Sequence, residues 1–148
     1  MEDKIELNDM RICSQKEINF IVSFYEELYN DKLTTKQIQI WVKNYKKKKK
    51  RKICLIKYET EPVGFFSLFY DYINKKLFLE SLFIKKEYRR KKIATFILNK
   101  LKETNSYFDI LSLGTTSEKT EAISFYLANG FKFVKDQHHV RMEYFLNN

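Results

Sequence analysis

Residues 77–101 read LFLESLFIKKEYRRKKIATFILNKL: an apolar strand, a basic hinge from Tyr88 to Ala94, and an amphipathic helix. The apolar run through Ile84 has strand character, whereas Ile93, Ala94, Ile97, Leu98 and Leu101 recur on one face of a helix from roughly Lys91 to Glu103. Exposed backbone N–H groups at a helix start, with the positive end of the helix dipole, form a natural seat for a pyrophosphate. The plainer alternative is a solvated helix start. Six cations between Lys85 and Lys92 oppose the dipole, however, so the hinge is a poor choice unless an anion is present.

Working outward, Lys52 to Tyr58, Val63 to Tyr72 and Lys76 to Ile84 are apolar and aromatic runs separated by stretches short enough for hairpin turns, which predicts three consecutive antiparallel strands. Before them, Ile5 to Ile12 reads as an irregular first strand. Ser14 with Glu17, and Thr34 with Gln37, form capping boxes that open two helices. The first helix carries Ile18, Ile21, Phe24, Tyr25 and Leu28 at helical spacing; the second carries Ile38, Trp41, Val42 and Tyr45, and the Lys46 to Lys50 run ends it. After the hinge helix, Ile110 to Thr115 is a short buried strand, parallel to its neighbour if the helix is a crossover. Ser117 is an N-cap for a last helix reaching Asn129, with Gly130 at its left-handed cap and Phe131 closing it. Phe131 to Lys135 and Val140 to Phe145 complete the chain as a strand pair. The order is β-α-α-β-β-β-α-β-α-β-β, an α/β (α+β) fold with a mixed, mostly antiparallel sheet of about seven strands and about four helices.

The 148 residues fit a single domain spanning 1–148, with enough surface to bury a core, and no apolar run is long enough to cross a membrane. Hydrophobic residues make up 44% of the chain while Gly (three) and Pro (one) are scarce, which excludes a disordered class. The start, Met1-Glu2-Asp3-Lys4, has no signal-peptide pattern, so the expected location is cytoplasmic. Cys13 and Cys54 then read as reduced thiols, with no Cys or His at metal-ligand spacing and no metal expected. The net charge of +9 is local. Eight of the ten residues from Lys43 to Lys52 and six of the eight from Lys85 to Lys92 are basic, and outside those segments acids outnumber bases, 18 to 14. The Lys46 to Lys50 run reads as a solvated loop; adjacent His138 and His139 read as surface or loop residues.

In this order, with a phosphate turn after the fourth strand, the chain resembles the GNAT-type N-acetyltransferases over nearly its whole length. Two segments carry the resemblance. Leu82 to Ala94 is similar to the family's acetyl-CoA signature of Arg or Gln, two residues, Gly, one residue, then Gly or Ala; Arg89 and Ala94 fit, and Lys92 stands where the family has its first Gly. Ala122-Ile123-Ser124-Phe125-Tyr126-Leu127-Ala128-Asn129-Gly130-Phe131 is similar to the family's Ala-x-x-Phe-Tyr-x-x-x-Gly-Phe, with Lys119 in place of an Asn that helps hold the cofactor. Glycine at position 92 would permit close backbone approach to a phosphate and a φ that a Cβ penalises by about 1 kcal/mol.

The resemblance implies direct attack of an amine on the acetyl thioester of acetyl-CoA. A base must deprotonate the amine, donors must stabilise the oxyanion, and an acid must protonate the thiolate. It assigns the thioester carbonyl to backbone N–H groups near Leu82, Phe83 and Ile84, and the pyrophosphate to Arg89, Arg90, Lys91, Lys92, Ile93, Ala94 and Thr95, with Lys119 a further cofactor contact. Tyr126 matches the family's general acid. Glu80 is the candidate base: by strand alternation it shares a face with Phe78, Leu82 and Ile84, an apolar row in which desolvation would raise its pKa. The plain alternatives are a core tyrosine and a carboxylate paired with a neighbouring Lys. Leu79 to Ile84 is similar to the strand of diamine and aminoglycoside acetyltransferases, which favours a small-molecule amine over a peptide or protein amine; a homodimer is compatible with the resemblance. Two other readings stand beside it. One is a GNAT-like acyl-CoA-binding module without turnover; the other is a basic nucleic-acid-binding domain, which no RNA-binding aromatic pattern or zinc spacing supports.

Overall fold

Both capping boxes form in the computed structural model, which describes residues 2–30, 32–115, 118–134 and 140–146. The Ser14 hydroxyl accepts from the Glu17 N–H at 3.2 Å and the Glu17 carboxylate from the Ser14 N–H at 2.9 Å, opening α1 (Gln15–Tyr29). Thr34 and Gln37 repeat the exchange at 3.1 and 2.8 Å to open α2 (Thr35–Tyr45). The first strand, β1 (Ile5–Asp9), stops short of the expected Ile12 because the Asp9 carboxylate accepts from the Arg11 N–H at 2.9 Å and turns Met10–Ile12 into a 3-10 segment.

Strands β2 (Arg51–Tyr58), β3 (Glu61–Asp71) and β4 (Lys76–Ile84) lie side by side, joined by turns at residues 59–60 and 72–75. Connections that short bring successive strands back antiparallel. Glu59 and Thr60 both take positive φ, 48° and 71°, as a two-residue hairpin turn of the primed type requires. Helix α3 (Ile93–Thr104) leads to β5 (Ile110–Thr115), which pairs parallel with β4 in the register Leu77–Leu111. The last elements are α4 (Thr120–Ala128), β6 (Lys132–Val134) and β7 (Val140–Phe145). The seven strands form a mixed, mostly antiparallel sheet in the order β1-β2-β3-β4-β5-β7-β6.

Contacts group the chain into two compact units, residues 1–68 with 81–94, and residues 69–80 with 95–148. In the first, α1 and α2 bury Ile18, Ile21, Tyr25, Ile38 and Val42 against Ile53, Leu55 and Phe65. The Tyr25 ring lies 4.1 Å from that of Phe65 and 5.0 Å from half-buried Trp41. In the second, Ile97, Leu98 and Leu101 of α3 are buried, as are Leu111, Leu113, Phe131 and Met142.

The end of α4 follows its sequence closely. Gly130 sits at φ 90°, its N–H bonds the Leu127 carbonyl, and the Phe131 N–H bonds that of Tyr126, the paired bonds of a Schellman cap. Its start differs: α4 begins at Thr120 with Lys119 at the cap position, while Ser117, Lys135, His138 and His139 lie outside the described residues. Cys13 and Cys54 are free thiols, and burial pushes the Cys54 thiol up to about 12. No helix among the described residues is long and apolar enough to cross a membrane.

Candidate functional site

Where β4 ends, β3 approaches it closely. The Lys85 N–H donates to the Val63 carbonyl at 2.7 Å, and a Cβ on Gly64 would collide with the Phe83 carbonyl and crowd Ile84 Cα. Phe83 and Ile84 are buried there, so two backbones and an apolar plug define the strand end. The chain then makes a 3-10 turn over Lys86–Lys91. Arg89 folds back on this turn: its Nε donates to the Ile84 carbonyl at 2.8 Å and its guanidinium lies 5.8 Å from the Phe83 ring centre. On the other side of the turn, Tyr88 packs edge-on to Tyr58 and the Lys91 ammonium stands 5.5 Å from the Tyr58 ring centre.

Lys92 then takes φ 60°, ψ 23°, the left-handed region, and α3 starts at Ile93 rather than at the expected Lys91. The physical reason for the later start is this reversal: a left-handed residue cannot continue a right-handed helix. A lysine therefore occupies a conformation that glycine adopts without cost. Lys92→Gly is expected to stabilise the protein by about 1 kcal/mol, offset in part by the greater freedom of glycine in the unfolded chain. Thermal melts would show a rise of about 2–4 °C; a lower melting temperature would mean that the Lys92 side chain holds the turn.

Ile93, Ala94 and Thr95 form the first turn of α3, whose N–H groups have no partners within the helix. Lys86, Arg89, Arg90, Lys91 and Lys92 are exposed around them. Phosphates need N–H donors and mobile cations together, and this turn has both, so the residues present fit the diphosphate of a CoA thioester. The second basic run differs in kind. It follows the C-terminus of α2, where cations suit the dipole, and Arg11 fastens it by donating to the Lys48 and Arg51 carbonyls at 2.6 and 2.9 Å.

The second unit holds Glu80, Lys119 and Tyr126. Tyr126, on α4, is half-buried, its ring 5.3 Å from that of Phe125 and 5.5 Å from that of Phe131. Burial pushes its phenol up to about 12. Lys119 is exposed and makes no side-chain cap bond to α4. Glu80 departs from expectation. Along β4, Leu77, Leu79, Ser81, Phe83 and Ile84 are buried, Lys76, Phe78 and Leu82 are half-buried, and Glu80 is exposed. The residue is exposed rather than enclosed by its apolar neighbours. It lines instead a cavity of about 500 Å³ with Phe69, Phe78, Gly114, Thr115 and Arg141.

Sequence reasoning passed over Arg141 and Gly64. Arg141 joins the cavity through strand register, which no local pattern reveals; Gly64 had a signal, since a lone glycine inside a strand run marks close backbone approach. Among the described residues, no group of three or more His, Cys, Asp or Glu forms a metal-ligand set.

Comparison with known proteins adds three kinds of finding. A family model described as the acetyltransferase (GNAT) family matches residues 17–131. No curated protein gives a significant match. Among solved structures, a spermidine N-acetyltransferase from Vibrio cholerae in complex with CoA and spermine superposes with a TM-score of 0.78 at 12% identity, covering 97% of this chain and 96% of that one. The PaiA N-acetyltransferase of Thermoplasma acidophilum, in complex with coenzyme A, gives 0.68 at 19% identity over 95% and 98%. An acetyltransferase of the same family from Staphylococcus aureus Mu50 gives 0.70 at 23% identity over 97% and 99%.

Proposed function

Because the chain belongs to the acetyltransferase (GNAT) family, we propose that it transfers an acetyl group from acetyl-CoA to a primary amine, a small-molecule amine in preference to a peptide or protein amine. The observation that carries this reading is the turn after β4. Arg89 is anchored on the Ile84 carbonyl, Lys92 reverses the backbone, and the first N–H groups of α3, which have no partner within the helix, start amid exposed cations.

Bound there, acetyl-CoA supplies an activated thioester. In this reading Arg89 to Thr95 hold its diphosphate, backbone groups of Leu82, Phe83 and Ile84 receive the thioester carbonyl, and Lys119 adds a cation beside the cofactor. Glu80 takes a proton from the acceptor ammonium, through water because the carboxylate is exposed. The Tyr126 hydroxyl donates to the departing sulfur. The C–N bond forms as the C–S bond breaks; the nitrogen loses two protons in all, the sulfur gains one, and one goes to solvent.

The test pairs binding with turnover. With acetyl-CoA, the melting temperature is expected to rise with ligand concentration, and small amines should then release free CoA thiol. Absence of any shift at millimolar acetyl-CoA would overturn the reading. A shift without thiol release from any amine would favour the acyl-CoA-binding module instead, a reading that the strained Lys92 and the uncapping Lys119 motivate.

A further inference from the structure

The cavity that Glu80 lines has a second charged wall. Register places Gly114 directly opposite Arg141 on β7, and Glu80 one residue beyond the Leu79–Leu113 pair on the other side of β5. One row across three strands therefore reads acid, glycine, guanidinium. Paired strands lie about 4.8 Å apart, and β4 is no longer paired with β5 beyond Leu79, so the two charged residues stand on backbones at least roughly 9–10 Å apart. The residue between them has no side chain, which leaves a slot floored by Gly114.

The guanidinium is held in place. Arg141 Nη1 donates to the Ser112 hydroxyl at 3.0 Å, Ser112 is fully buried, and the Arg141 head stands 5.5 Å from the Phe78 ring centre. Phe78 in turn packs on Phe69 at 5.9 Å, so the slot also has an aromatic wall. A guanidinium with a fixed plane suits a carboxylate, which it binds in a fork, and repels an ammonium. A polyamine entering this cavity would meet Glu80 favourably and Arg141 unfavourably.

We propose that the acceptor is an amino carboxylate with an apolar or aromatic body, its ammonium directed to Glu80 and its carboxylate to Arg141. This rests on the acetyl-transfer reading above and adds the substrate class to it. Arg141 is then a specificity-determining residue.

The experiment compares L-phenylalanine, its decarboxylated twin phenethylamine, and spermidine as acceptors for the wild type, Arg141→Gln and Arg141→Lys. Phenylalanine is expected to exceed phenethylamine in kcat/KM by about 10-fold or more, as a charge-assisted carboxylate contact predicts. In Arg141→Gln that ratio should fall toward one, chiefly through KM, and Arg141→Lys should restore part of it. Using the ratio removes any general loss of folded protein. Equal use of the twin amines, a preference for spermidine, or an Arg141→Gln loss shared alike by both amines would overturn the proposal, the last because a purely structural arginine behaves so. Calorimetric titration of phenylalanine and phenethylamine into the full chain with CoA separates the two readings. A phenylalanine preference lost in Arg141→Gln upholds this inference even where no acetyl transfer occurs; amine turnover with no preference in binding or rate defeats it and leaves acetyl transfer standing.

Discussion

Gly64→Ala is expected to lower the melting temperature by about 10 °C. The added methyl meets backbone, the Phe83 carbonyl and Ile84 Cα, so no side chain can rotate away to make room. Overpacking usually costs about 1–3 kcal/mol, and a clash between two strands belongs at the upper end of that range. For a chain of this length each kcal/mol moves the midpoint by roughly 3–4 °C. The damage is directed. Separating β3 from β4 at this point strains the Lys85 bond to Val63 and displaces Ile84, whose carbonyl anchors Arg89. Acetyl-CoA affinity should therefore fall beyond what the lower stability explains, measured by titration well below the melting range. Gly114→Ala is the control: its Cβ would stand 4.0 Å from the nearest atom, the Val140 carbonyl, an ordinary contact. A Gly64→Ala protein that melts like the wild type would show that the two strands have slack.

What was legible in the sequence follows from how local each cause is. The two capping boxes and the Gly130 cap need three to six residues each, and all three formed as read. The bounds of β5 and the end of β4 also came through, because the apolar run and the strand end together. The hinge was harder. Its residues carry helix-compatible propensities, so the pattern extends the helix back to Lys91, whereas the backbone reverses at Lys92 and confines Lys86–Lys91 to a 3-10 turn. The first strand forms but ends early for a similar reason, a short Asp9 side-chain bond outcompeting the ladder beyond it.

Glu80 shows a different limit. Alternation groups it with Phe78, Leu82 and Ile84 but does not say how far each position is covered, and Glu80 is exposed although Phe78 and Leu82 are half-buried and Ile84 is buried. Arg141 shows the same limit across strands: it meets the cavity through a parallel and an antiparallel pairing whose registers depend on turns and crossovers far away in sequence.

Tyr126→Phe is expected to lower kcat by about 10²–10³-fold, the loss of one well-placed donor to developing charge, with little change in the midpoint of unfolding at neutral pH. The ring keeps its contacts with Phe125 and Phe131, and what disappears is the hydroxyl. The raised pKa shapes the prediction. A phenol at about 12 stays protonated across the working range, so the donor is always armed. Full transfer to a thiolate whose conjugate acid lies near 8.5 would be uphill by about 5 kcal/mol, so the hydroxyl acts as a hydrogen-bond donor to sulfur while solvent completes the protonation. The alkaline limb of the wild-type rate profile should accordingly show no Tyr126 titration below about pH 11. Stability carries the complementary sign. Between the ordinary phenol value near 10 and the folded value near 12 the native state holds more protons than the unfolded one, so stability falls as pH rises through that window. Replacing Tyr126 by phenylalanine removes that contribution, and the variant's stability should decline less steeply from pH 10 to 12. Chemical-denaturation series at stepped pH would read the slope, and single-turnover thiol release would read the chemistry. A variant with wild-type kcat would remove Tyr126 from the reaction whatever its slope, while a reduced kcat with an unaltered alkaline slope would place the hydroxyl at the sulfur but outside the desolvated setting that its raised pKa implies.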